Sequence, residues 1–425
     1  MWVVESPRRR ARTITKIEST ETAQVTEPEA DNTEVQAFQV VDPEASDRDA
    51  RKAAVVTKQV LRLVADFLTF IMLRSALVLM LLVCSVQANF YSIVVNYYPR
   101  GNVSTGSSTG ILYYKLGYSS CLYSLPYYIG GQTLVLDKVD EESRGEWCQT
   151  EGVISRLFSS NSIFSIPVSG LNWIFGIKNG IVSFKIQALV ELRIRSDIGK
   201  ANTSPQTTII PAIRVPSNCR RDFSLLMFDP DGDQVKCRYG NSSLFECNGC
   251  DPPSVLSLSS STCTLSFAPT SDSNVGSYGV QLLMEDFPMK NITMTGVNGT
   301  KTTQTPNDAL SKVPIQFVLI VDPPVSSCTE GDFLPKFLPP TPNNRARLYT
   351  PVDKTLEISI SAEAQNSTIS ELLFSGPYDA IQNKTGPGKF TLTWTPSKSQ
   401  DNDTLPFCFV VQALSKSVPF YKFIP

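Results

Sequence analysis

The chain contains no histidine. That absence excludes Ser-His-Asp and Cys-His catalysis, and with them any imidazole metal site. Basic residues are not in surplus either: 38 Lys and Arg stand against 40 Asp and Glu, a formal charge of −2, so no electrostatic case exists for nucleic acid. Helical periodicity is scarce while Gly, Pro, Ser and Thr are frequent, which predicts an all-β protein. No Arg-Gly-Asp tripeptide suggests integrin binding.

What is present is organised around one apolar run, Phe67 to Ala88. All eight Asn-x-Ser/Thr acceptors follow it: Asn102, Asn202, Asn241, Asn291, Asn298, Asn366, Asn383 and Asn402. So do nine of the ten cysteines, Cys84 lying inside it. Such acceptors are used only in the secretory lumen, and dispersed cysteines persist as bridges only where it is oxidising. The expectation is a secreted protein, or one on the outer face of the plasma membrane.

The run is 22 residues, enough to span a bilayer. However, Arg74 inside a spanning helix costs roughly 2.5–3.5 kcal/mol. Met72-Leu73-Arg74, then Ala76 to Val83, then Val86-Gln87-Ala88 follow the order of a signal peptide. Left uncleaved, the run is a signal anchor, the chain's one membrane contact, and residues 1–66 become the cytosolic tail of a type II receptor.

Residues 1–60 read as a disordered tail, with a solvated basic patch at Arg8 to Arg12. Residues 61–88 are the signal or anchor helix, into which the helical spacing of Ala53 to Ala65 runs. A first β-rich module covers 89–215. In it, Trp173 to Gln187 predicts two strands around an Asn179-Gly180 turn, Val190 to Arg195 a half-exposed strand, and Pro211 to Pro216 a linker. A second module covers 217–324 and closes on Ile315 to Val321 and Asp322-Pro323-Pro324. The third, 325–425, shows a period of two over Thr355 to Ser361, and its early stop predicts C-terminal truncation.

Modules two and three repeat each other. Thr264-Leu265-Ser266-Phe267-Ala268-Pro269 lies over Thr391-Leu392-Thr393-Trp394-Thr395-Pro396, and without a gap Val280 to Asp286 lies over Phe407 to Ala413. The unit resembles the immunoglobulin-like and cadherin-like β-sandwich repeats of extracellular proteins. Arg195-Ser196-Asp197-Ile198-Gly199, Asn202-Thr203-Ser204-Pro205, Asp229-Pro230-Asp231-Gly232-Asp233, Cys237-Arg238, Glu246-Cys247-Asn248-Gly249-Cys250 and Cys263-Thr264-Leu265 resemble a large family of fish- and mollusc-type animal extracellular glycoproteins. The resemblance implies tandem β-sandwiches and brings no catalytic residue.

Asp229, Asp231 and Asp233, at alternate positions around Gly232, form a turn that can converge on calcium, with Glu285 and Asp286 as further ligands. No EF-hand is implied, since the twelfth loop position is Gly240. The competing reading is a solvated β-turn. Cys121 with Cys148 and Cys328 with Cys408 are the expected bridges; Cys219, Cys237, Cys247, Cys250 and Cys263 stay unassigned. An odd number leaves one thiol free or bridged to another chain. Phe267 and Trp394 read as core. Tyr113, Tyr114, Tyr118, Tyr123, Tyr127 and Tyr128 read as a half-buried sheet face or a contact surface for protein or carbohydrate. The function expected is non-enzymatic: adhesion, recognition or spacing; the alternative of another class is a hydrolase using a pair of carboxylates of separated pKa.

Overall fold

The structure is a computed structural model that describes residues 55, 57–76, 90–100, 108–123, 127–129, 131–143, 145–158, 162–296, 299–401, 403–415 and 422–423. It divides into a small N-terminal unit and a large one that begins at Ala88. In the small unit residues 57–76 are helical, which overlaps the last positions assigned to the tail. Thr69 Oγ1 donates back to the Ala65 carbonyl at 2.6 Å, and the Arg74 guanidinium lies 4.7 Å from the Phe70 ring one turn earlier. Among the described residues no helix is long and apolar enough to cross a membrane. Residues 1–54 and 77–89, which hold most of the expected tail, apolar core and cleavage site, lie outside the described residues.

The large unit is all-β. Its first strand, Phe90–Arg100, is rich in Val, Ile and Tyr and is buried on both faces from Ile93 to Tyr98, the pattern of an interior strand. One edge pairs with Ser108–Tyr118; the other pairs with Lys312–Asp322, Ile93 opposite Gln316. Lys312–Asp322 also holds Gly276–Phe287 antiparallel and Ala212–Pro216 parallel. A ten-stranded sheet therefore runs through the expected boundary at residue 216. The segment expected as a linker is itself a strand. Its two prolines sit at or just before the ends, where a missing N–H costs the ladder little.

One sandwich builds on this sheet, and a second is made of two smaller sheets. Leu265 and Phe267, from the sheet Arg221–Ser224, Thr264–Phe267 and Leu256–Ser259, share a core with Val235, Val280 and Leu282 of the large sheet. Further on, Ile360, Phe390, Leu392 and Trp394 from one sheet meet Leu372, Phe374 and Val411 from another. The repeated segments hold like places: Thr264–Phe267 and Lys389–Trp394 lie in one layer, Gly276–Phe287 and Cys408–Ser415 in the facing layer. The period of two at Thr355 to Ser361 appears as the strand Leu356–Glu363, its alternate residues buried.

The last sandwich docks on the first strands through buried polar contacts. Lys115 and Glu151 pair at 2.8 Å, both almost fully buried. Glu151 accepts from the Tyr378 N–H at 2.9 Å, and Lys115 donates to the Gly376 carbonyl. The Phe374 N–H donates to Asp140 at 2.9 Å, and Gln412 donates to Glu142 at 2.8 Å. These modules are packed together, not strung out. The Asn179-Gly180 expectation also changes. The strands are Ile163–Asn172 and Ser183–Glu191, and Asn179 sits in the longer loop between them, bonded to the Gly279 N–H and carbonyl. Packing against Gly276–Phe287 thus sets the loop, where the dipeptide alone suggested a tight hairpin.

Among the described residues four disulfides form: Cys121–Cys148, Cys219–Cys328, Cys237–Cys263 and Cys247–Cys250. The expected Cys328–Cys408 bridge is absent. Asn218 exchanges hydrogen bonds with Val325 at 2.7 and 2.9 Å, which lays the segment after Asp322 beside Cys219. Cys408 is paired in register with Ser375 on the neighbouring strand of the same sheet and remains a free thiol.

Candidate functional site

The Asp-rich turn folds as its residues dictate. Asp229 Oδ1 accepts from the N–H groups of Asp231 and Asp233 at 2.9 and 3.0 Å, and Gly232 takes φ +88°, a left-handed conformation suited to glycine. Opposite stands Arg195, placed by a two-residue strand, Ile194–Arg195, that pairs with Met294 and Thr295. Arg195 is 1% exposed. Its guanidinium grips both oxygens of Asp233, bonds both oxygens of Asp197 at 3.1 and 2.8 Å, and donates to Asn202 Oδ1. Asn202 Nδ2 passes the network to Asp286 Oδ2 at 2.6 Å, whose Oδ1 accepts from Ser311 N–H and Oγ at 2.7 Å.

Of the expected calcium ligands, the structure brings Asp229 and Asp233 together with Asp286, one oxygen from each within 4.8 Å of the others. Asp231 turns instead to the Thr203 N–H at 2.6 Å and to Lys200 at 2.8 Å. Glu285 belongs to a separate cluster, paired with Arg238 at 2.8 Å beside Glu246 and Lys312. Burial pushes the Asp229 and Asp286 carboxyls up, Asp229 further by the charge of Asp286, while the Arg195 bonds hold Asp197 below the usual range. Burial alone would lower the Arg195 pKa, but its bonds to Asp233 and Asp197 hold it above the ordinary value.

This donor set does not fit calcium, which needs six to eight oxygens. Only Asp229 Oδ2 lacks a partner; both oxygens of Asp233 and Asp286 are engaged. At Asp233 the positive charge a cation would bring is already supplied by the Arg195 guanidinium. The cage is a structural clamp that joins Arg195 and Asn202 to the turn 229–233 and to Asp286.

Asn202 was expected to carry a glycan. It is 0% exposed and its amide nitrogen is spent on Asp286, so a sugar on Nδ2 has no path to solvent. Asn241, Asn291, Asn366 and Asn383 are exposed; Asn102, Asn298 and Asn402 lie outside the described residues. Tyr113, Tyr114 and Tyr118 are buried, and the side chains of Tyr123, Tyr127 and Tyr128 lie outside those described. Phe267 and Trp394 are core, with Trp394 Nε1 donating to Asp379 at 2.9 Å. What sequence reasoning missed is the clamp. No local signal marks it, since Arg195 and Asn202 lie far ahead of the acid-rich turn in sequence and only the fold brings them to it.

No family model matches the chain. Over 183 residues, 41% of this chain, it is 26% identical to integrin beta-like protein A of Dictyostelium discoideum, and the match spans 9% of that protein's length. Among solved structures it is similar to Sidekick-1 immunoglobulin domains 1–4 (10% identity, 80% of this chain and 68% of that one, TM-score 0.16). It is also similar to the insect immune protein hemolin (7% identity, 80% and 95%, TM-score 0.15). The two structural likenesses, at these TM-scores, carry no functional weight.

Proposed function

We propose that the large unit is the ectodomain of an extracellular glycoprotein that acts in adhesion or recognition and does no chemistry of its own. The four disulfides carry this reading, since bridges of this kind persist only in an oxidising compartment. Exposed acceptors at Asn241, Asn291, Asn366 and Asn383 support it. The acidic cluster nearest to a catalytic pair, Asp229 with Asp286, supports the non-enzymatic part. Asp286 is committed to Ser311 and Asn202, and Asp229 Oδ1 to its own turn. The integrin-like name of the Dictyostelium relative agrees with a surface role, over the segment the two share.

The test is to express the full chain from Met1 in secretory animal cells and coat beads with the product. Recovery from the medium, a mass that falls on glycosidase treatment, and capture of cells, matrix protein or glycan are expected. A reduced, sugar-free protein in the cytosol refutes the compartment. Secreted beads that capture none of the three refute the recognition role.

A further inference from the structure

A cavity of about 650 Å³ lies between the sheet Arg221–Ser224, Thr264–Phe267, Leu256–Ser259 and the last sandwich. That is within the range of small-molecule sites, which are mostly apolar with a few polar groups that set orientation. Its walls include Phe223, Leu225, Met227, Leu348, Phe407 and Phe409, and most of these are only half-buried because they face the cavity and not a neighbouring side chain. Cys408 lines it too; burial pushes its thiol up to about 11, so it stays a neutral thiol that alkylates slowly.

The rim is basic. Arg345 reaches across to Ser224 Oγ at 2.9 Å and to the Leu225 and Thr262 carbonyls at 3.1 and 3.0 Å. It takes φ +62°, a left-handed conformation that is uncommon for a residue with a side chain. Arg347 lies 4.8 Å from the Phe228 ring. Among the described residues neither arginine forms a salt bridge with a carboxylate, nor does Lys336, which also lines the cavity. Two acids line the cavity as well: Glu330 pairs with Arg221 at 2.7 Å, and Asp222, half exposed, stands 3.9 Å from Arg220.

We infer that this cavity binds an amphiphile with one anionic head, of the fatty-acid class, its chain among Phe223, Met227 and Phe409 and its head between Arg345 and Arg347. Burying each methylene of such a chain favours entry, and the two guanidiniums, neither in a salt bridge with a described carboxylate, select the charge.

The test uses the protein purified from the medium of cells expressing the full chain. Calorimetric titration with laurate is expected to show saturable one-to-one binding, with 1-dodecanol about fivefold weaker, as an exposed ion pair allows. Arg347→Ser should bring laurate down to the dodecanol level, and Met227→Trp, which fills the floor, should abolish uptake while leaving the circular-dichroism spectrum unchanged. Independently of any substitution, laurate should slow alkylation of Cys408 by N-ethylmaleimide in the native protein. No saturable laurate binding overturns the inference. So does dodecanol binding as tightly as laurate, or a Cys408 alkylation rate that laurate leaves unchanged.

Discussion

Replacing Arg195 by methionine is the sharpest probe of the clamp. The substitution keeps much of the side-chain volume and removes the one cation that both Asp233 and Asp197 bond. Arg195 is 1% exposed and Asp233 3%, so the carboxylate left behind cannot recruit bulk water. Breaking a buried pair from one side costs about 3–5 kcal/mol. For a unit of this size that lowers the thermal midpoint by about 4–7 °C. Arg195→Lys should recover only part of the loss, because a point charge cannot hold Asp233, Asp197 and Asn202 at once. The assay is thermal unfolding followed by circular dichroism, run in calcium and in chelator. The unsubstituted protein should melt at the same temperature in both. A loss below about 1 kcal/mol in Arg195→Met would show the clamp to be unimportant. A calcium-dependent midpoint in the unsubstituted protein would show that the turn binds the ion after all.

Burial lifts the Asp140 carboxyl to about 7, against the Phe374 N–H bond that favours its charged form. The folded state therefore keeps a proton that the unfolded chain has already lost. Its stabilising contribution is full below the ordinary aspartate pKa and declines as pH rises through about 7. The midpoint should fall as pH rises from about 4 to about 7 and level off above that, and Asp140→Asn should reduce that fall. Replacing Cys237 and Cys263 together by serine opens a 26-residue loop and should cost about 3.5 kcal/mol, read by urea unfolding. Peptide mapping without reduction should recover Cys219 joined to Cys328, and Cys408 as a thiol. Glycopeptide analysis should find Asn202 bare and sugar on Asn241 or Asn383, and Asn202→Gln should lower stability without changing the glycan mass.

Local pattern was readable where local physics decides. The alternation at Thr355 to Ser361 became a strand with one buried face because a period of two needs no distant partner. The turn 229–233 formed as its Asp and Gly residues require. The identity of the facing cation was not readable, since Arg195 lies 38 positions before Asp233 and only the fold brings them together. The same limit hid the partner of Cys328, which depends on how Asn218 meets Val325. It also hid the burial of Asn202, where an acceptor motif in a string of letters says nothing about solvent access.

The pairing of Phe90–Arg100 with Lys312–Asp322 has a consequence for synthesis. Ile93 leaves the ribosome long before Gln316, and at about 5–20 residues per second the interval is roughly 10–40 s. Throughout that delay the nascent chain holds an interior strand with one open edge. Asn202 emerges in the same interval, ahead of Asp286 and Ser311, so the glycosylating machinery meets it before the partners that will enclose it. Completion of the sheet thus competes directly with sugar transfer at this residue, and a nascent chain modified there loses the amide that joins Arg195 to Asp286.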